Sequence, residues 1–450
     1  MTQESEKLLT NLYNAFDPFY ALPAGDPKYV DCQEARGDGN IIEDLGGKIK
    51  LSDRMTCQLY TGHRGAGKST ELLRLQQYLQ NQGCFVVYFA ADEEDINPED
   101  TEYTDILLAC TRHLLESLKN ANSQPLRDWM KDRWEDLKDL ALTEVSFEKL
   151  SLELQITQFA KLTANIRTVP SLGKKIRDKI NPHTTTLIKA LNVFIDDAKK
   201  NLPKGYSQIA VIADNLDRIV PFIKEGGRSN LDEIFLDRTE QLKDLHCHIV
   251  YTIPISVVYS KRSSELTNNY HNLQVLPMIM VQNQDGSTNA TGLATIKELI
   301  EKRVKQVSPN LSLETGLFDN GETLERLCLM SGGHVRNLLS MMQEAIIRAQ
   351  PNLPITAKAA QRAITQARDV YRRTPEQDEW QILAKVSQTQ QILNDQQHRD
   401  LLLNRCILEY RHYNEEDEED EEVEIVPWYD VHPLIKGIKQ FKDSLAQLQP

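Results

Sequence analysis

Apolar residues along this chain fall into two rhythms. Short runs rich in β-branched and aromatic residues stand at "CFVVYFAA" from Cys84, "QIAVIAD" from Gln208 and "HIVYTIP" from His248. Runs this short, bounded by glycine, proline or acidic turns and lacking alternation, read as strands buried on both faces, as in a parallel sheet. Between them the spacing becomes helical, at Leu72, Leu73, Leu75 and Leu79 and again at Ile106, Leu107, Cys110, Leu114 and Leu118. Strands alternating with helices predict an α/β fold. Residues 121–200 then read as a helical insertion ahead of the "QIAVIAD" strand, and 293–373 as a four-helix lid with breaks at "SPN" and "QPNLP". The last stretch, 374–450, gives short helices, two strands and a final helix, the order of a winged helix. The expected plan is an N-terminal segment (1–55), a core sheet domain (56–282), a polar hinge "QNQDGSTNATG", the lid, and the winged-helix-like module.

Composition narrows the class. At 450 residues the chain has room for two or three domains. No apolar run approaches the roughly 18 residues of a membrane span, and "MTQESEKLL" lacks the basic start of a secretory leader. Seven scattered cysteines form no CxxC pair, which suits a reducing compartment, so a soluble cytoplasmic protein is expected. The net charge is −14, but nine acidic residues crowd into 415–424. Without them the balance is about −5, too weak to draw nucleic acid broadly. The best local candidate for a phosphate-backbone contact is "GKKIRDK", with Lys174, Lys175, Arg177 and Lys179; a solvated helix face is the plainer reading. The tract "EEDEEDEE" falls between the two module strands, where a DNA-reading wing would meet phosphate, and would repel it. It reads as a solvated loop, with an acidic ligand for a basic partner as the alternative. Trp428, Tyr429 and His432 are expected to pack the wing inward.

The strongest chemical signal is Gly62-His63-Arg64-Gly65-Ala66-Gly67-Lys68-Ser69, followed by Thr70. It matches G-x-x-x-x-G-K-[ST] between an apolar run and a helical pattern. The glycines let backbone amides turn inward on phosphates, and the helix N-terminus adds its dipole. Lys68 would reach the outer phosphates and Ser69 would ligate Mg²⁺. His63 and Arg64 fill variable positions and read as solvated loop residues. Asp92, Glu93, Glu94 and Asp95 follow the next strand, where a solvated loop or a water-mediated metal contact both fit.

"VIADNLD" supplies the complementary strand end. Asp214 is placed to hold Mg²⁺ through water. Asn215 has no group that accepts a proton near neutral pH, so it could orient a water but not activate one. Asp217 is the nearest acid, and capping or pairing with Arg218 is its other reading. Slow hydrolysis is the expectation. Thr252 ends its strand either as a sensor of the γ phosphate or as a turn residue before Pro254. His246 and His248 lack a third ligand nearby, so no metal site is expected there.

These motifs in this order resemble those of the AAA+ and STAND ATPases, particularly the origin-recognition-like and NTPase-switch branches, over roughly residues 30–375. The resemblance implies ATP with Mg²⁺ as ligands. It sends Arg36 and Gly37 of "EARGDGNIIEDL" toward the adenine. It makes Arg336 of "LCLMSGGHVRNLLSMMQEAI" a sensor that contacts the γ phosphate from the lid. Two departures stand out: Asn215 replaces the usual second acid, and Arg262 is the one candidate for a trans-acting arginine finger. A slow molecular switch in signalling or defence is therefore expected. It would control a separate protein effector or sensor, with a nucleotide-dependent oligomer as one outcome. A DNA-associated ATPase that positions another machine is the rival, and an ATP-stabilised scaffold without turnover is a third reading.

Overall fold

The computed structural model describes residues 3–37, 40–138, 151–224, 226–413 and 425–448. The chain divides into two compact units, one of residues 41–61 and 74–274, the other of residues 1–40, 62–73 and 275–450.

The first unit carries the sheet. Strands β1 (Cys57–Gly62), β2 (Cys84–Ala90), β3 (Gln208–Asp214), β4 (His248–Thr252) and β5 (Asn272–Leu276) lie in the order β2-β3-β4-β1-β5. The β2–β3, β3–β4 and β4–β1 pairs are parallel, so the carboxyl ends of these strands share one edge. Ile209 to Ala213 of β3 are fully buried, which is why this strand shows no polar alternation. This is the α/β fold with a parallel sheet that the sequence predicts.

The predicted insertion is helical and belongs to the same core. Helix α1 (Gln3–Ala15) opens the chain and α2 (Lys68–Asn81) follows β1. Next come α3 (Tyr103–Ser117), α4 (Gln124–Asp132), α5 (Leu152–Thr168), α6 (Pro170–Ile180) and α7 (Thr184–Lys200). Trp129, Phe159, Ile176 and Phe194 from the inserted helices join β-strand residues Val87, Val211 and Ile249 in one buried cluster. Each such side chain contributes about 1.5–3 kcal/mol through burial.

Polar residues lock this cluster in ways the sequence hid. Arg177 is inside: its Nε donates to Asp105 at 3.0 Å and its Nη1 to Asp100 at 2.8 Å. Burial, against the pull of Arg177, pushes the Asp105 carboxyl up to about 6. The basic stretch therefore loses its arginine as a phosphate contact, while Lys179 pairs with Asp136 on the surface. Of the acids after β2, Glu93 and Glu94 are exposed as a solvated segment would be, but Asp92 and Asp95 are not. Asp95 is fully buried between Arg112 and His113, Glu94 also meets Arg112, and Asp92 pairs with Arg218 at 2.6 Å.

In the second unit, α1 packs through Leu9 and Leu12 onto two of the four lid helices, α8 (Ala290–Val307) and α10 (Val335–Ala349). The other two are α9 (Gly321–Met330) and α11 (Ala357–Tyr371). Each lid helix starts on a side-chain cap, from Asn289, Asn320, His334 and Thr356 in turn. The terminal segment runs α12 (Glu379–Thr389), α13 (Gln396–Leu403), β6 (Ile407–Tyr413), β7 (Ile425–Val431) and α14 (Lys439–Leu448). β6 and β7 form an antiparallel hairpin, with Tyr410 opposite Trp428 and their rings stacked 4.5 Å apart. Trp428, Tyr429 and His432 are buried. The acidic tract 415–424 lies outside the described residues. Among the described residues no helix is long and apolar enough to cross a membrane.

Candidate functional site

The phosphate loop leaves β1 at Gly62 and enters α2 at Lys68. Gly62, Gly65 and Gly67 take φ of 146°, 86° and 111°, values that L side chains rarely adopt. Space excludes a side chain at Gly65 as well: a Cβ there would lie 2.7 Å from the Cβ of Arg336 and 2.8 Å from Cε1 of His334. Ala66 is buried and its N–H closes a turn onto the His63 carbonyl. The Lys68 ammonium lies in the loop, donating to the carbonyls of Gly62 at 2.8 Å and His63 at 3.0 Å. Ser69 is half-buried in the first turn of α2. Thr70 anchors the N-terminal segment, its hydroxyl accepting from the Leu22 N–H at 3.1 Å.

Arg36 and Arg336 both reach this loop. Arg36 is buried, with Nη2 donating to the Ala66 carbonyl at 2.7 Å and Nη1 to the Pro277 carbonyl. These two donors brace the loop from behind. Gly37 caps the turn behind it in a left-handed conformation. Arg336, second residue of α10, donates its N–H to the Gly65 carbonyl at 3.1 Å. Its guanidinium donates to the Pro18 carbonyl at 3.2 Å and lies over the ring of Phe19, which is 80 % exposed. Helix α10, in the segment expected to form the lid, thus begins on this loop.

His63 and Arg64 correct the sequence reading. His63 is buried, and its Nε2 accepts the Glu409 N–H of β6 at 2.9 Å. Burial first, then the charges of Lys68 and Arg405, hold its imidazole down to about 3, so it is a neutral acceptor. The Arg64 carbonyl meets Nε2 of His334 at 2.7 Å, and Nδ1 of His334 caps α10 by accepting from Asn337. Apolar periodicity carried no signal for either contact. The "SGGH" turn before α10 does carry one. A Cβ at Gly333 would lie 1.8 Å from the Ile279 carbonyl oxygen, so only glycine allows that approach.

The first unit holds the other candidates at the carboxyl edge of its sheet. Asp214 is buried at the end of β3; Oδ2 accepts from the Tyr88 hydroxyl at 2.8 Å and Oδ1 from the Asn215 N–H at 2.7 Å. Tyr88 was not singled out by sequence, because its role depends on β2 lying beside β3. Asn215 has φ 63° and ψ 10°, a left-handed conformation that asparagine tolerates far better than glutamate. Thr252 is fully buried, its hydroxyl accepting from the Leu216 N–H at 2.9 Å and donating to the Ala213 carbonyl. It fixes the turn after Asp214. Asp217 is buried in that turn, and Arg218 pairs with Asp92.

Several residues weighed from sequence serve other purposes. Arg262 is bound to Glu265 through Nε at 2.7 Å and to Asp237 through Nη1 at 2.9 Å, so its donors are committed within the fold. His248 is buried against Thr56, while His246 pairs with Asp196.

No protein-family model matches the chain, and no curated protein does. Among solved structures it is similar to Cdc6p from Pyrobaculum aerophilum, at 11% identity and TM-score 0.40, covering 96% of this chain and 98% of that one. It is similar to a Walker-type ATPase of Pyrococcus abyssi, at 12% identity and TM-score 0.42, with 96% and 99% covered. The ORC2 protein of Aeropyrum pernix, solved in ADPNP–ADP complexes, matches at 10% identity and TM-score 0.44, with 96% and 97% covered.

Proposed function

We propose that the chain is an ATP-binding, slowly hydrolysing molecular switch of the AAA+ or STAND kind, whose lid position controls a separate protein partner in signalling or defence. The observation that carries this reading is the seat of α10 on the phosphate loop, with Arg336 N–H on the Gly65 carbonyl. A helix that begins on the phosphate cradle must respond to what the cradle holds.

The donor set fits Mg·ATP. Glycine backbone, a lysine and a helix N-terminus suit phosphate anions, and the oxygens of Ser69 and Asp214 suit Mg²⁺. Bound, it would supply the phosphoanhydride and a metal charge that stabilises the leaving oxygens. Lys68 would hold the outer phosphates, and Tyr88 and the Asn215 N–H would fix both oxygens of Asp214. Asn215 can orient a water but cannot take its proton, which supports slow turnover. The test is phosphate release in a single turnover, with Lys68→Ala as the control. Brisk release by the wild type would remove the slow switch, and no nucleotide binding would remove the whole reading.

A DNA-associated ATPase is the second reading, and one feature favours it. A cleft of about 870 Å³ along α11 is lined by Arg348, Arg362 and Arg373 with Gln361, Thr365, Gln366 and Val370, and by one acid, Asp369, which pairs with Arg373. Burial, then the charges of Arg372 and Arg326, lower the nearby Arg368, a sign of crowded positive charge. Salt-sensitive binding of duplex DNA that is lost in Arg362→Glu/Arg373→Glu would establish it, and no binding at low salt would end it.

A further inference from the structure

We infer that His63 is a positioning residue that ties the state of the phosphate loop to the β6–β7 hairpin, making the hairpin the output element of the switch. The inference rests on the ATP-switch reading and names how that site is regulated.

The second residue of the phosphate loop spends its only ring acceptor on β6, through the Glu409 N–H at 2.9 Å. The same residue of β6 accepts from the Met278 N–H at 3.1 Å. One residue further along, the Tyr410 hydroxyl donates to the Gly332 carbonyl at 2.9 Å, in the turn that launches α10. A single strand therefore touches both the loop that would hold phosphate and the turn that positions Arg336. The turn at the far end of β7 joins in, because Nε2 of His432 lies 2.8 Å from Nδ2 of Asn337 on α10. Tyr410 in turn stacks on Trp428, so movement of β6 carries β7 with it.

This network is buried and short-ranged. His63, His334, Glu409, Tyr410 and His432 are all buried, and a Cβ at Gly332 would lie 2.8 Å from Leu408 of β6 and from Pro433, so no side-chain cushion separates turn and hairpin there. Buried contacts of this kind shift between discrete arrangements rather than deform smoothly. A loop that closes on phosphate displaces the His63 ring, and the ring hands that displacement to the Glu409 amide.

Backbone hydrogen exchange at Glu409 and Tyr410 reads the coupling, with and without Mg²⁺ and a non-hydrolysable ATP analogue. The full chain is compared with His63→Ala and His63→Gln, and each variant's affinity for a fluorescent ATP analogue is measured alongside. In the wild type the analogue should change exchange at these amides by about fivefold or more. Compared at nucleotide concentrations that saturate each variant, His63→Ala should lose that response, and His63→Gln, whose amide oxygen can accept from Glu409, should restore part of it. A response of equal size in His63→Ala, or no response in a wild type that binds nucleotide, overturns the inference and leaves the ATP-binding reading standing. A wild type that binds no nucleotide overturns both.

Discussion

The Tyr88 hydroxyl donates to Oδ2 of Asp214 at 2.8 Å, across two neighbouring strands whose register sets Tyr88 opposite Ile212. A buried carboxylate needs such donors, and a hydrogen bond to a charged group contributes about 1.5–3 kcal/mol. Tyr88→Phe should therefore lower unfolding free energy by about 1–3 kcal/mol in a denaturant titration. Mg²⁺ with nucleotide should recover part of the loss, because ligand that binds only the folded state stabilises it. Full stability in Tyr88→Phe would show that Asp214 does not depend on the contact.

Asn215 joins two explanations that sequence alone could not separate. Its side chain is the wrong chemistry for a base, and its backbone is in a left-handed conformation where a longer side chain is strained. Asn215→Glu should cost about 1–2 kcal/mol of stability from the backbone alone. Asn215→Asp avoids most of that strain, and single-turnover phosphate release should rise by about tenfold or more if only a base is missing. Unchanged release in Asn215→Asp would place the slow step elsewhere.

Gly65→Ala tests the lid contact. The new methyl would press on Arg336 and His334 at a φ of 86°. Affinity for a fluorescent ATP analogue is expected to fall at least about tenfold, with about 1–3 kcal/mol lost from stability. Normal affinity would mean that α10 can leave the loop without consequence.

Acid should loosen the second unit through its histidines. His63 and His432 are held down to about 3, in both cases by burial first, and His334 is also lowered. Below about 6.5 the unfolded chain takes up protons that these folded imidazoles refuse, so stability falls as pH drops from 7 toward 4. The slope is up to about 1.4 kcal/mol per pH unit for each histidine. Glu379 and Asp400 of the same unit, both raised by burial first, work the other way, as Asp105 does in the first unit between its unfolded value and about 6. Urea midpoints at pH 7 and pH 5 check the sign, and the loss should shrink in His63→Gln.

Much of this was legible in the chain. β2, β3 and β4 announced themselves because strands buried on both faces need unbroken apolar runs, and the phosphate loop because its backbone needs glycine at fixed offsets. What escaped were the side chains whose meaning depends on distant partners. His63 lies 346 positions from Glu409, and nothing local in "GHRGAGKS" says that its ring is an acceptor for a strand near the other end of the chain. Arg177 sits in a run of cations that looks solvated, and it is the pairing with Asp105, 72 positions earlier, that takes it inside. Arg36 lay in the expected segment, but its contacts to the Ala66 and Pro277 carbonyls, 30 and 241 positions away, stayed hidden, since sequence gives a cation its neighbourhood but not the direction of its donors.

The buried Arg177–Asp105 pair has a bearing on how the first unit comes apart. Removing one partner of such a pair leaves a charge stranded, at a cost of about 3–5 kcal/mol. With α6 clamped in this way and its apolar residues merged into the cluster that also covers the sheet, the described inserted helices share one core with the strands. The described inserted helices and the sheet then melt together as one cooperative block. Partial loosening that would let a core survive without its insertion is closed off, and damage anywhere in the block is felt at the strand end that carries Asp214.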